Sequence, residues 1–298
     1  MNEAQPIRNV SDTALWVAIY RAMESEREDA LFHDPYARRL GGERGEAIAA
    51  SRGGKSMNWP IVVRTVVIDE IVLRCVQQGV ATVLNLAAGL DARPYRLDLP
   101  RSVHWLHVDL PDMIEYFRSR MATESPRCAL EFIAADLREA DARREVFERA
   151  AAHGPVLVIT EGLLIYLESA QVVDLARDLH DIVGARWWLT DLASPRLLRF
   201  MARRWQPKLA AGNAPFRFAP AEGTAFFAPF GWQEKEFRSS WTEALRLKRT
   251  MPLAWLWRAL GLLQPGRRRE ALRRMSAIVL LESKTASAVG NRELERAA

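Results

Sequence analysis

Three short apolar runs end on an acid: HWLHVD on Asp109, EFIAAD on Asp136 and VLVITE on Glu161. A carboxylate leaving an apolar segment is costly to desolvate unless a cation or several hydrogen-bond donors meet it. Asp109 lies 20 residues after Gly89 of NLAAGLD, a separation at which it can accept hydrogen bonds from both hydroxyls of a ribose. Capping the helix that opens at Leu110-Pro111 is the simpler alternative for the same residue. Asp136 can hold an adenine amino group while the Leu137 amide meets a ring nitrogen, or it can be an ordinary turn acid. Glu161 needs a cationic partner, which an ammonium or sulfonium ligand would supply. The turn Ala87-Ala88-Gly89 offers small residues where a ligand must approach the backbone. It has one glycine where the dinucleotide fingerprint has three, which argues against an NAD or FAD enzyme.

These groups need elements that converge them. Strands are expected at residues 81–86, 104–108, 130–134, 156–160 and 187–190, with helical patterns at 111–121, 141–152 and 169–182 between them. That alternation is the grammar of a doubly wound α/β fold with parallel neighbours. Helices at 12–26 and after Asp34-Pro35 precede the first strand and should sit over it, and residues 59–78 form a helix stopped by Gly79. After Asp191 the alternation stops, so residues 194–249 read mostly as an insertion with a short strand at 234–237. The run AIVLL at 277–281 re-enters the sheet after an arginine-rich turn at 267–269. The expected organisation is one domain: a helical cap to residue 58, a ligand-binding core at 59–193, an insertion with the sixth strand at 194–275, and a final strand and tail at 276–298.

At 298 residues, 49% hydrophobic and 27% charged, the chain is neither disordered nor fibrous. The Trp-rich run at 253–263 is too short to span a bilayer, for which about 18 residues are needed, and no membrane partner is expected. Two cysteines cannot build a disulfide framework and the first ten residues lack a secretory pattern, so a cytoplasmic setting is expected. The formal charge of +5 comes from 42 basic and 37 acidic residues interleaved along the chain, not the clustered basic face of a nucleic-acid reader.

Taken together, SDTALWVAIYRAMESEREDALFHDPYARRL, VVRTVVID, VLNLAAGLDARPYRL, VDLPDMIEYF, AADLR and TEGLLIYL resemble the leucine carboxyl methyltransferase family. The resemblance runs from Ser11 to the last strand and is weakest over residues 194–268. It implies a class I methyltransferase with a seven-stranded Rossmann-like sheet, a reversed final strand and S-adenosylmethionine as cofactor. It further implies that Arg64 binds the methionyl carboxylate, with Arg21 a weaker candidate for it, and that Ala88 and Gly89 line the cofactor turn. By the same resemblance Asp109 holds the ribose, Asp136 and Leu137 the adenine, and Glu161 the cofactor ammonium. Relatives usually carry glycine at the position of Ala87; if that position needs a positive φ, alanine strains the turn.

Displacement at a sulfonium needs alignment and water exclusion, and a general base only when the acceptor arrives protonated. Of five histidines, only His33 lies in a segment expected to cover the pocket, and Tyr166 and Tyr20 are candidates for orienting an acceptor. The lack of a clear base favours O-methylation of a carboxylate or acidic hydroxyl. A small-molecule acceptor is preferred to a protein C-terminus, with Phe216, Phe218, Phe226, Phe227, Phe230 and Trp232 able to line an apolar pocket or to form the core of the insertion. No metal is expected. The rival readings are a nicotinamide-dependent oxidoreductase and a non-catalytic binding protein on a methyltransferase fold.

Overall fold

The apolar runs form β1 (Thr82–Leu86), β2 (His104–Asp109), β3 (Ala129–Ala134), β4 (Val156–Thr160) and β5 (Trp187–Ala193). The computed structural model describes residues 11–51, 58–210, 215–251, 253–254 and 264–284. Two further strands, β6 (Trp232–Ser239) and β7 (Ser276–Ser283), complete a seven-stranded sheet of order β3-β2-β1-β4-β5-β7-β6. Strands β1 to β5 run parallel, and β7 runs antiparallel to both β5 and β6. Because β2 and β4 flank β1 on opposite sides, the connections leaving β1 and β4 diverge, and the crevice beyond their carboxyl ends is the natural place for a ligand.

The helices are α1 (Ser11–Ser25), α2 (Ala37–Ser51), α3 (Trp59–Gln77), α4 (Arg93–Arg96), α5 (Pro111–Arg120), α6 (Ala140–Ala151), α7 (Ser169–Asp181), α8 (Pro195–Ala210), α9 (Ser240–Arg246) and α10 (Gly266–Arg273). Side chains alternate across the sheet with the period of two that a pleat imposes. Val83, Trp105, Leu157, Ile159 and Leu189 pack against Val67, Ile68 and Ile71 of α3. On the opposite face Leu84, Leu106, Val158 and Trp188 pack against Val146 and Phe147 of α6 and Val172 and Leu175 of α7. Both central strands, β1 and β4, are buried throughout, as expected of parallel strands covered on two sides.

The N-terminal helices lie at the sheet's carboxyl edge, above the turn that leaves β1. Ala18 and Leu40 share a cluster with Leu90 and Ala92 of that turn, Tyr95 of α4 and Phe117 of α5. Close approach of α1 and α2 depends on two glycines: a Cβ at Gly41 would come within 2.5 Å of Ile19 Cδ1, and one at Gly45 within 2.7 Å of the Leu15 carbonyl.

Several boundaries differ from those read in the sequence. β5 runs on to Ala193 because Asp191, Leu192 and Ala193 pair with Ile278, Ala277 and Ser276 of β7, so Asp191 belongs to a strand and not to the segment after it. β6 has eight residues and a register shift between Glu234 and Glu236; its charged run QEKE suits an edge strand, where unpaired backbone is kept from further pairing by charge. The arginine-rich stretch at 267–269 is helical, not a turn, and opens after Pro265. The expected insertion begins with α8, and most of the aromatics named in it join the sheet core, Phe216 excepted: Phe227 and Trp232 meet Trp188 edge-on at 5.1 and 5.5 Å, and Phe218 is buried beside Phe227. Residues 255–263 of the Trp-rich run lie outside the described residues.

Candidate functional site

The turn leaving β1 is built around two left-handed residues, Ala87 at φ 50° and Gly89 at φ 56°. The second needs glycine, since an added Cβ would lie 3.3 Å from Ala14 Cβ on α1. Asp109, at the end of β2, fastens this turn: Oδ2 accepts the Gly89 N–H at 2.6 Å and Oδ1 accepts the Leu110 N–H at 2.7 Å. Burial raises the Asp109 pKa above the usual carboxylate range, and the two backbone N–H groups offset this only in part. Each oxygen keeps a further lone pair for a ligand hydroxyl. Below the turn, His107 is fully buried, its Nε2 lies 3.3 Å from the Gly89 carbonyl, and desolvation lowers its pKa to about 4. It is a neutral support for the turn at physiological pH.

A buried charge cluster occupies the neighbouring crevice. Glu161, in the turn after β4, places Oε1 2.8 Å from Arg64 Nε and Oε2 2.8 Å from Arg93 Nη1. Burial alone would raise its pKa, but the charges of Arg93 and Arg64 overcome that and bring it to about 2. Arg93, 2% exposed, also donates to Asp69 at 2.6 Å and to Asp91 at 2.8 Å. Arg96 adds a second pair with Asp69, and Arg21 on α1 donates to Asp34 at 2.9 Å and to the Leu90 carbonyl at 2.6 Å. On the far side of Glu161, Asp191 accepts the Gly162 N–H at 2.6 Å and an Arg64 Nη1 hydrogen at 3.3 Å. Among the described residues, Arg64 Nε is a buried donor outside hydrogen-bond geometry, despite its short charge contact with Glu161.

Of the residues singled out in the sequence, Arg64, Glu161 and Arg21 thus fall in or beside one cluster, and Asp109, Ala88 and Gly89 form the adjoining turn. Asp136 and Leu137 follow β3 one strand further out, where Asp136 is held by the Arg138 side chain at 2.5 Å and Leu137 packs against the sheet core. Tyr166 stands in a 3-10 turn (Leu164–Tyr166) with Phe216 at 5.7 Å between ring centres, and both border Trp16 and Ile48. Tyr20 is 1% exposed within the α1, α2 and α3 core, and His33 is exposed on the loop before α2. Sequence reading missed Arg93, Asp69, Asp91 and Asp191. The last was findable, because it follows the apolar run WWLT just as Glu161 follows VLVIT.

This topology and crevice define a class I methyltransferase. The leucine carboxyl methyltransferase family model matches residues 14–180, and the chain belongs to that family. A Streptomyces avermitilis protein named as an S-adenosyl-L-methionine-dependent methyltransferase is 33% identical over 239 residues, covering 74% of this chain and 82% of its own. One from Streptomyces coelicolor with the same description is 34% identical over 234 residues, with the same shares covered. Among solved structures, a DUF574 family protein from Streptomyces avermitilis superposes with a TM-score of 0.54 at 13% identity, covering 90% of this chain and 96% of that one. A methyltransferase from Thermobifida fusca gives 0.53 at 16% identity over 94% and 96% of the two chains. The protein is an S-adenosylmethionine-dependent methyltransferase.

Proposed function

We propose that the chain is an O-methyltransferase acting on a carboxylate or acidic hydroxyl of a small molecule, with the cofactor held across the β1, β2 and β4 ends. The observation that supports the cofactor site is Arg64, a half-buried guanidinium set against Glu161 at 2.8 Å. A zwitterionic amino-acid head fits such a pair, its carboxylate on Arg64 and its ammonium on Glu161, which stays ionised at all physiological pH values. Arg21, already bonded to Asp34 and Leu90, acts as a support near that head. Asp109 would take the ribose hydroxyls on its remaining lone pairs while fixing Gly89, with Ala88 beside it, and Asp136 and Leu137 would face the adenine, Asp136 after release from Arg138.

Bound there, the cofactor supplies an electrophilic methyl group on a sulfonium. The residues of the chain orient and exclude water, because a carboxylate acceptor is already an anion and needs no proton removed. Tyr166 and Phe216, half-buried beside the Glu161 turn, support an apolar acceptor of small size that Tyr166 orients. Ion pairing of exposed arginines, among them Arg38 with Glu26 and Glu46 and Arg144 with Glu148, speaks against a nucleic-acid face. Calorimetry with S-adenosylhomocysteine tests the cofactor site: saturable binding is expected, and none at millimolar concentration would refute it. Transfer of labelled methyl to an acceptor panel tests the rest. A product that releases methanol in mild base is an ester, and a base-stable N- or C-methyl product would overturn O-methylation.

A further inference from the structure

Arg64 and Glu161 sit on different elements, one on α3 and the other in the turn after β4, yet their relative placement decides whether one amino-acid head can meet both. Asp191 is the residue that ties those elements together. Its Oδ1 accepts the N–H of Gly162, next to Glu161, at 2.6 Å, and its Oδ2 accepts from Arg64 Nη1 at 3.3 Å. Three further features make this tie specific. Gly162 has φ 68°, and a Cβ there would come within 3.2 Å of Arg64 Nη1, so the guanidinium lies directly over the backbone that Asp191 grips. Asp191 is itself fixed by strand pairing, its neighbour Thr190 opposite Thr160 of β4 and Asp191 opposite Ile278 of β7. The bond to Nη1 leaves Nε turned to the Glu161 side, 2.8 Å from Oε1.

We propose that Asp191 is a positioning residue for the amino-acid head of the cofactor, acting through Arg64 and Gly162 without touching the ligand. The inference rests on the cofactor site proposed above and adds a residue to which that reading gave no part. Asp191 also divides the hold on Arg64: the guanidinium stands between Glu161 and Asp191, as Arg93 stands between Glu161, Asp69 and Asp91. Replacing the aspartate with a neutral residue removes the second carboxylate from Arg64, which already meets Glu161 at 2.8 Å, and so frees the guanidinium to turn about that contact and lose the orientation the ligand carboxylate needs, while the ribose contacts of Asp109 are unaffected.

The test compares two ligands that share the nucleoside and the sulfur. S-adenosylhomocysteine carries the carboxylate and ammonium, and 5′-methylthioadenosine carries neither. With Asp191→Asn the dissociation constant for S-adenosylhomocysteine is expected to rise about tenfold, as for losing a charge-assisted contact, and that for 5′-methylthioadenosine to change less than about twofold. Asp191→Glu, which keeps the charge but displaces it by one methylene, gives a smaller loss with the same selectivity and serves if the asparagine variant does not fold. Equal weakening of both ligands would reduce Asp191 to a general structural role, and unchanged affinity for both would remove it from the site. Wild-type protein that binds neither ligand would instead overturn the cofactor site itself.

Discussion

Ala87→Gly is expected to stabilise the protein without altering its affinity for cofactor. Ala87 occupies the left-handed region at φ 50°, between β1 and Gly89. For a residue with a Cβ that conformation costs roughly 1–2 kcal/mol, which glycine escapes. Against this, glycine gives the unfolded chain more freedom, a loss of about 0.4–1 kcal/mol. The difference leaves a gain of about 0.5–1 kcal/mol, a rise of roughly 1–2 °C in Tm for a chain of this size. The strain is present in the turn without any ligand, so it falls on folding and not on binding, and the dissociation constant for S-adenosylhomocysteine should move by less than about twofold. Differential scanning fluorimetry and calorimetry on the same samples read both quantities. A lower Tm would show that the turn is not strained by alanine. An unchanged Tm with tighter binding would mean that the chain adopts the left-handed turn only when the cofactor arrives, and the reasoning would fail. Gly89→Ala supplies the opposite sign, since it adds a Cβ at φ 56° and 3.3 Å from Ala14.

Asp109→Ala should weaken S-adenosylhomocysteine binding by about 1.5–3 kcal/mol in calorimetry, as for hydrogen bonds to a charged group. Arg93→Met removes a cation that Asp69, Asp91 and Glu161 all face, and should cost about 3–5 kcal/mol in urea unfolding. Glu161 has a folded pKa of about 2, below its ordinary 4.5, so its ion pairs stabilise the native state fully above pH 4.5 and lose that contribution as pH falls towards 2. The stability difference between wild type and Glu161→Gln, measured by urea unfolding, should therefore shrink across that acid window, and a difference independent of pH would refute the ion-pair assignment.

The strands were legible because β1 and β4 are short apolar runs with turn residues on both sides, and the acids after β2, β3 and β4 stand out against them. What sequence could not supply is who meets whom. Glu161 called for a cation, and two came, one from α3 and one from α4, 68 residues away in the chain for Arg93. Tyr20 and Tyr166 look alike in sequence, yet helix packing buries the first and leaves the second half-exposed at the crevice. β6 was read too short because its alternation is hidden by charges that only make sense once it is known to be an edge. Asp191 was passed over because the ladder that extends β5 comes from β7, almost 90 residues later.

The position of β7 bears on how the chain is made. Among the described residues, β6 is hydrogen-bonded to β7 alone, and β7 is the last strand. A ribosome adding about 5–20 residues per second must therefore hold β6 waiting for a second or more, one strand away from the already built β5, until β7 fills the place between them. Stalling or nonsense truncation before Ser276 would strip two strands from the sheet, not one, and would bare the edge on which Asp191 sits.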